Sequence, residues 1–246
     1  MDMRDGRPQL PKASPFKDTM TKGTRISLII SIFLFSVALP ILLYFLSAKV
    51  SLSSLGEVEL SLLSGAATLL GIFTIGYSYL KEHFESIRGN ALLILRYIIL
   101  AMLLKFALEL IVQSIYFFLS IEIASTENNE AILELSRNNF KRMLGLTVII
   151  APIVEEVFFR GCLFGGLYKY GRALAYAVSV LGFSLLHVAG FMITDFSFSQ
   201  IAQLILYVPA SVALAYCYEK SGNIWASIAM HSGINALAMF VLNKLA

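Results

Sequence analysis

Charge is scarce in this chain: only 14% of its 246 residues are Asp, Glu, Lys or Arg, where soluble domains carry about a quarter. That scarcity excludes an ordinary solvated surface. With 58% hydrophobic residues and a mean hydropathy of +0.77, it points to an all-α, polytopic membrane helix bundle. The net charge is only +3, and the basic residues are spread along the chain rather than gathered in a stripe among aromatics, which argues against a nucleic-acid partner. Cysteine is nearly missing as well. Cys162 and Cys217 both lie in apolar runs, giving little support to a disulfide framework or a thiolate metal site. Aspartate is absent after residue 18 except for Asp195, so the aspartate pair of an aspartyl hydrolase has no source. No HExxH helix, internal repeat or low-complexity tract is present.

What the chain does have is a series of long apolar runs. Residues 1–25 read as a polar, mobile, cytoplasmic tail with Pro8, Pro11 and Pro15 and a basic excess. Ile26 to Ala48 is too long for the apolar core of a signal peptide and is expected to be a retained span rather than a leader cleaved after Ala48. Further runs at about 60–80, 91–119, 143–165, 174–192, 201–217 and 224–243 predict seven spans, or eight if the run at 91–119 divides. Residues 26–142 are read as amino-terminal helices with a connector, and 143–246 as the functional bundle. Basic residues in the tail and at Lys81 and Arg88 predict a cytoplasmic amino terminus. The connector at 120–142 begins acidic and ends basic, as a helix dipole favours, and reads as an amphipathic surface helix.

Three charges interrupt the run IIAPIVEEVFFRGCLFGGL: Glu155, Glu156 and Arg160. Each costs about 2.5 to 3.5 kcal/mol near the centre of a span. Glu156 and Arg160 stand four apart with the acid first, the favoured order for an ion pair within a helix. Glu155 points about a hundred degrees away and needs another partner. Pro152 removes a donor and is expected to free the carbonyl of Val148. Gly161 and Gly165 form a GxxxG pattern, read as close packing. Lys105 and Glu109, also four apart, either neutralise each other or serve a function.

Of the three histidines, His187 and His231 lie in late apolar runs, while His83, read as part of a polar loop, is given no role. Phe183 stands four before His187 as an aromatic wall, and Asn235 four after His231 shares its face. A carboxylate, two imidazoles and a carboxamide can together activate water, hold an oxyanion and protonate a leaving amine.

On these residues the sequence resembles the CPBP family of intramembrane CAAX proteases and bacteriocin-processing enzymes, also grouped as Abi proteins. Its EExxxR, FxxxH and HxxxN motifs stand here in order as Glu155-Glu156-Val-Phe-Phe-Arg160, Phe183-Ser-Leu-Leu-His187 and His231-Ser-Gly-Ile-Asn235. The resemblance implies a membrane endopeptidase in which Glu155 and His187 activate water and His231 and Asn235 form the oxyanion site. It also implies that Glu156 and Arg160 hold the first motif's helix in place. The substrate would be a hydrophobic or lipidated peptide or protein.

Rival readings stay open. Glu155, His187 and His231 also form the donor set of a catalytic zinc, although metal-free glutamate chemistry is favoured. Ser184, three before His187, poorly matches a serine nucleophile. A proton-coupled transporter or a noncatalytic membrane regulator would also place acids and histidines in spans.

Overall fold

The structure, a computed structural model, describes residues 3–4, 7–8, 16–49, 56–122, 125–194 and 196–245. Asp195 and the loop at 50–55 lie outside these described residues. Apart from a two-residue antiparallel pairing of Met3–Arg4 with Arg7–Pro8, every described element is helical. In chain order these are α1 (22–49, with a π-helical stretch at Leu34–Ala38), α2 (Glu57–Ile75), α3 (Tyr77–Glu85), α4 (Ile87–Phe118) and α5 (Glu127–Gly145). There follow α6 (146–168), α7 (Arg172–Leu186), α8 (Ala189–Thr194), α9 (Phe198–Ser221) and α10 (Ile224–Leu245).

The bundle is polytopic, but the expected count of seven or eight spans is not reproduced. Among the described residues, five helices are long and apolar enough to cross a membrane: Lys22–Leu46, Glu57–Ile75, Ile87–Phe118, Phe198–Ser221 and Ile224–Val241. The two remaining apolar runs are helical but differ physically. In α6 the ladder is broken by π-helical stretches at Leu146–Ile150 and Val157–Phe164, and α7 has only 15 residues. The run at 91–119 does not divide; it forms the 32-residue α4. Large apolar side chains of α1 and α4 such as Ile30, Phe33, Leu92 and Leu103 face outward, as lipid contact requires and as water would oppose.

Helix α9 runs through the middle, packed against α4, α7 and α10, while α10 also packs on the first part of α6 and α1 lies against α2. Helix α5 is capped by Thr126, whose Oγ1 accepts from the Asn129 N–H, and carries Glu127 and Glu130 in its first turn and Arg142 in its last. Its apolar face is spent inside the protein. Ile132, Leu135 and Phe140 pack with Val58 and Met239.

Part of the tail is built into the fold, against the expectation of mobility. Residues 16–21 lie outside any helix or strand, and Lys22 to Arg25 already belong to α1. Phe16 packs edge-on against Phe164 and Tyr218 at centroid distances of 5.6 and 5.1 Å. Such pairs are worth about 0.5 to 1.5 kcal/mol beyond their burial. Gly161 and Gly165 do serve close packing, but their partner is this tail segment and Tyr79 rather than another span. A Cβ would meet Met20 Cε at 3.0 Å in the first case and Asp18 Oδ1 at 2.9 Å in the second.

His83 is likewise no loop residue. It lies inside α3, buried, with Nε2 3.1 Å from Thr19 Oγ1 and Nδ1 accepting from the Ile224 N–H at 3.3 Å. Its carbonyl accepts from Asn223 Nδ2 at 2.6 Å. Gly222, left-handed at φ +61°, ends α9 and delivers Asn223 to that position. One imidazole therefore joins the tail, α3 and the start of α10.

Burial lowers the His83 imidazole from 6.5 to about 4. The fold thus prefers the neutral ring, so the unfolded chain takes up the proton first. The stabilisation from His83 is complete above pH 6.5 and is lost as pH falls toward about 4. Thermal unfolding of the purified protein should therefore show a steeper loss of melting temperature between these pH values for the wild type than for His83→Gln. Parallel curves would remove this account.

Candidate active site

The site starts from a backbone irregularity. Ala151 donates its N–H to Leu146, five residues back. Pro152 has no N–H to offer Thr147, so the Thr147 carbonyl is left for a side chain. Asn235 Nδ2 from α10 donates to it at 2.8 Å. The carbonyl that takes the outside donor is thus Thr147, one residue earlier than the Val148 carbonyl expected from Pro152 alone.

One turn later the two glutamates diverge. Glu156 is fully buried and accepts from three side chains: Arg160 Nη1 at 3.1 Å, Ser227 Oγ, and the Nδ1–H of His231 at 2.9 Å. Arg160, also fully buried, donates through Nη2 to the Ser211 carbonyl at 2.9 Å and to Ser211 Oγ at 3.0 Å. Its guanidinium carbon lies 4.5 Å from the ring centroid of Phe183, a cation–π distance. The expected Glu156–Arg160 ion pair therefore exists and is anchored to both α9 and α10.

Glu155 takes the other direction. Its Oε2 is buried without a hydrogen-bond partner in the protein. It lies 3.9 Å from His187 Nε2 and 3.9 Å from His231 Nε2. These gaps are too long for direct hydrogen bonds and short enough for one shared oxygen atom.

Each imidazole is fixed from behind. His187 caps α7, where the last carbonyls lack helical partners, and its Nδ1 is 2.9 Å from the Phe183 carbonyl. The His231 Nδ1 proton faces Glu156. With both Nδ1 atoms donating, each ring turns its Nε2 toward Glu155. Phe183 packs against both rings, at centroid distances of 4.6 Å to His187 and 5.6 Å to His231. Glu155, His187 and His231 are thus brought together, with Asn235 beside them on the wall of the same cavities.

Several contributors were missed by motif reading. Tyr207 stacks on His187 at 4.4 Å and 27°, and its hydroxyl lies 2.8 Å from Thr126 Oγ1 at the start of α5. Ser211 and Ser227 complete the Arg160 and Glu156 shells. Spacing could have found Ser227, since 227, 231 and 235 follow at four-residue steps on one face. Nothing local marks Tyr207, which reaches His187 only through the packing of α9 against α7. Ser184 is buried and its Oγ has no hydrogen-bond partner in the protein, so it forms no dyad with His187.

Two cavities meet at His187, Tyr207 and Asn235. The larger, about 510 Å³, is lined by Lys105, Glu109, Gln113 and Thr126 among others. Lys105 and Glu109 are paired at 2.5 Å, so the pair both forms and faces this cavity. The smaller, about 360 Å³, is bounded by Ile132, Leu135, Met143, Leu146 and Glu155. The larger carries a charged pair, whereas the smaller sets an apolar wall against Asn128, Asn129 and Thr147.

The donor set has the chemistry of a zinc site, but not its spacing. Ligand atoms around one tetrahedral zinc stand about 3.4 Å apart, against the two gaps of 3.9 Å. Among the described residues, no three His, Cys, Asp or Glu side chains are grouped to hold a metal ion.

Residues 138–237, which contain every residue of the cluster, match the family described as "Type II CAAX prenyl endopeptidase Rce1-like". The resemblance read from the three motifs is shown over the segment that carries them. Two curated proteins are also similar. YdiL of Bacillus subtilis (strain 168), whose name gives it provisionally as a membrane peptidase, is 27% identical over 117 residues. The UPF0177 protein YbdJ of Lactococcus lactis subsp. lactis (strain IL1403) is 34% identical over 97 residues. These matches cover 47% and 39% of this chain, and the chain spans only 43% and 38% of those proteins. No solved structure matches.

Removing one partner from a buried ion pair typically costs about 3 to 5 kcal/mol. Arg160→Ala and Glu156→Ala should therefore each sharply reduce the detergent-stable, monodisperse fraction seen by size-exclusion chromatography. Normal yield and an unchanged melting temperature in either variant would refute the pair's structural role.

Proposed function

We propose that this integral membrane protein is an intramembrane endopeptidase that hydrolyses a peptide bond by glutamate-activated water, without a metal. The observation that carries this reading is the partnerless Oε2 of Glu155, held 3.9 Å from two Nε2 atoms that are each oriented from behind. A buried carboxylate oxygen without a partner is costly unless chemistry uses it.

The steps follow from the positions. Water in the gap gives a proton to Glu155, assisted by the His187 Nε2 lone pair, and its oxygen adds to the peptide carbonyl. Charge then develops on the carbonyl oxygen. His231, charged throughout the cycle with its Nδ1–H on Glu156, donates Nε2–H to that oxyanion, and Asn235 has a second amide hydrogen beyond the one given to Thr147. Glu155 passes its proton to the leaving amine as the C–N bond breaks, which returns the site to its starting state.

The two cavities support a hydrophobic or lipidated peptide as substrate: the apolar wall at Ile132, Leu135 and Met143 suits its hydrophobic part, and the polar groups of the larger cavity suit its backbone and terminus. The end of the bundle carrying Lys17, Lys22, Lys81, Arg88 and Lys169 is read as cytoplasmic.

Peptides from membranes of cells expressing the wild type or Glu155→Gln at equal levels should differ in a defined set of fragments, identified by mass spectrometry. The same fragments should vanish with His187→Ala and His231→Ala and persist after chelation. Asn235→Ala should retain activity reduced about a hundredfold to a thousandfold, the usual cost of one oxyanion donor. Identical peptide profiles would overturn the protease reading. Loss on chelation with recovery on zinc would overturn the metal-free one.

A further inference from the structure

Away from the catalytic cluster, a second concavity of about 880 Å³ opens where α2 ends, α3 crosses and α5's predecessor α4 and α10 begin. Three of the helices that meet here are spanning segments, so the groove lies at the boundary between hydrocarbon and headgroups. Its walls are Phe73, Leu80, Phe84, Ile87 and Trp225, and its rim carries Tyr77, Lys81, Glu85 and Arg88. Phe84 and Tyr77 are 63% and 60% exposed, an unusual outlay of aromatic surface.

Two cations, Lys81 and Arg88, stand on the rim against one carboxylate, Glu85, a net charge of +1. Lys81 Nζ is 3.8 Å from Glu85 in an exposed, solvent-screened contact, and among the described residues Arg88 has no ion-pair partner. The tail segment carrying Thr19 is bonded to His83 of the same short helix, which brings Lys17 and Lys22 to this end of the bundle as well. Trp225 is positioned rather than loosely packed: its Nε1–H donates to the Leu80 carbonyl at 3.0 Å, and its ring meets Phe84 edge-on at 6.2 Å.

We propose that this groove binds an anionic phospholipid, with its phosphate at Lys81 and Arg88 and an acyl chain along Phe73, Phe84 and Trp225. A basic rim over an apolar, aromatic floor at the hydrocarbon boundary matches that amphiphile in both charge and depth. The inference does not depend on the proposed proteolysis.

Trp225 is the only tryptophan in the chain and therefore reports on its own groove. Its fluorescence is to be measured in nanodiscs containing equal mole fractions of brominated phosphatidylglycerol, phosphatidylcholine or phosphatidylethanolamine. Phosphatidylglycerol should quench most strongly, since each basic residue beside an anionic headgroup favours occupancy by about fivefold. Lys81→Gln with Arg88→Gln, both exposed positions, should erase that preference while leaving the melting temperature unchanged. High salt should narrow it in the wild type, a control that needs no variant. Equal quenching by all three lipids, or strongest quenching by phosphatidylethanolamine, whose ammonium Glu85 would take, would overturn the assignment.

Discussion

The buried carboxylate of Glu156 is the constraint on which the remaining site depends. Within one hydrogen bond it touches Arg160 on its own helix, Ser227 and His231 on α10, and through Arg160 it reaches Ser211 on α9. Three helices are therefore fixed relative to one another by a single charged group. Its desolvation is offset only because every contact is made at once. Apolar residues of similar volume could pack α6 against α9 and α10, but they could not orient the ring of His231. The ion pair is thus a means of aiming an imidazole as much as a means of holding a fold.

Adjacent residues of one kind have been given opposite tasks by their surroundings. Glu156 has a full set of donors and no exposure, so its proton affinity is committed to structure. Glu155, one residue earlier and about a hundred degrees round the helix, is left with an oxygen that nothing in the protein satisfies. The helix around them is not regular. Its π-helical stretches flank Ala151–Glu156 on both sides, and such stretches frequently accompany functional sites because they free carbonyls and re-aim side chains. Here the freed carbonyl is used immediately, by Asn235, to tie the third motif to the first.

Much of this was legible in the sequence because the informative features are expensive or periodic. Charges in an apolar run announce themselves, and four-residue steps put Glu156 with Arg160 and His231 with Asn235 on shared faces. The helical bundle follows from composition alone. The contributions that were not legible are those made across helices. Tyr207 looks like any aromatic in a span, and only the approach of α9 to α7 lays it on His187. His83 sits in a polar stretch, yet tertiary contacts from Thr19, Asn223 and Ile224 enclose it. The described end of the tail, from Phe16 on, was misread for the same reason. Local composition at Phe16 to Met20 is that of a disordered segment, whereas Phe16 finds a pocket of rings contributed by residues about 150 to 200 positions away.

Helix α7 connects the two ends of this argument. It begins beside the junction of tail, α3 and α10, where Arg172 holds Glu219 at 2.6 Å, and it ends at His187. At about 1.5 Å per residue its 15 residues place the imidazole about 22 Å from that end, deep in a hydrocarbon layer about 30 Å thick. Glu155 lies about 20 Å before the end of α6 on the same reckoning. The reactive cluster is therefore closer to the opposite end, where α5 is tied to α9 through Thr126 with Tyr207 and Glu127 with Gln203. Those contacts lie over the meeting point of the two cavities, and Asn129 of α5 lines both. The polar seam between α5 and α9 therefore stands between Glu155 and the nearer end of the bundle, while Glu156 holds the helices in register behind it.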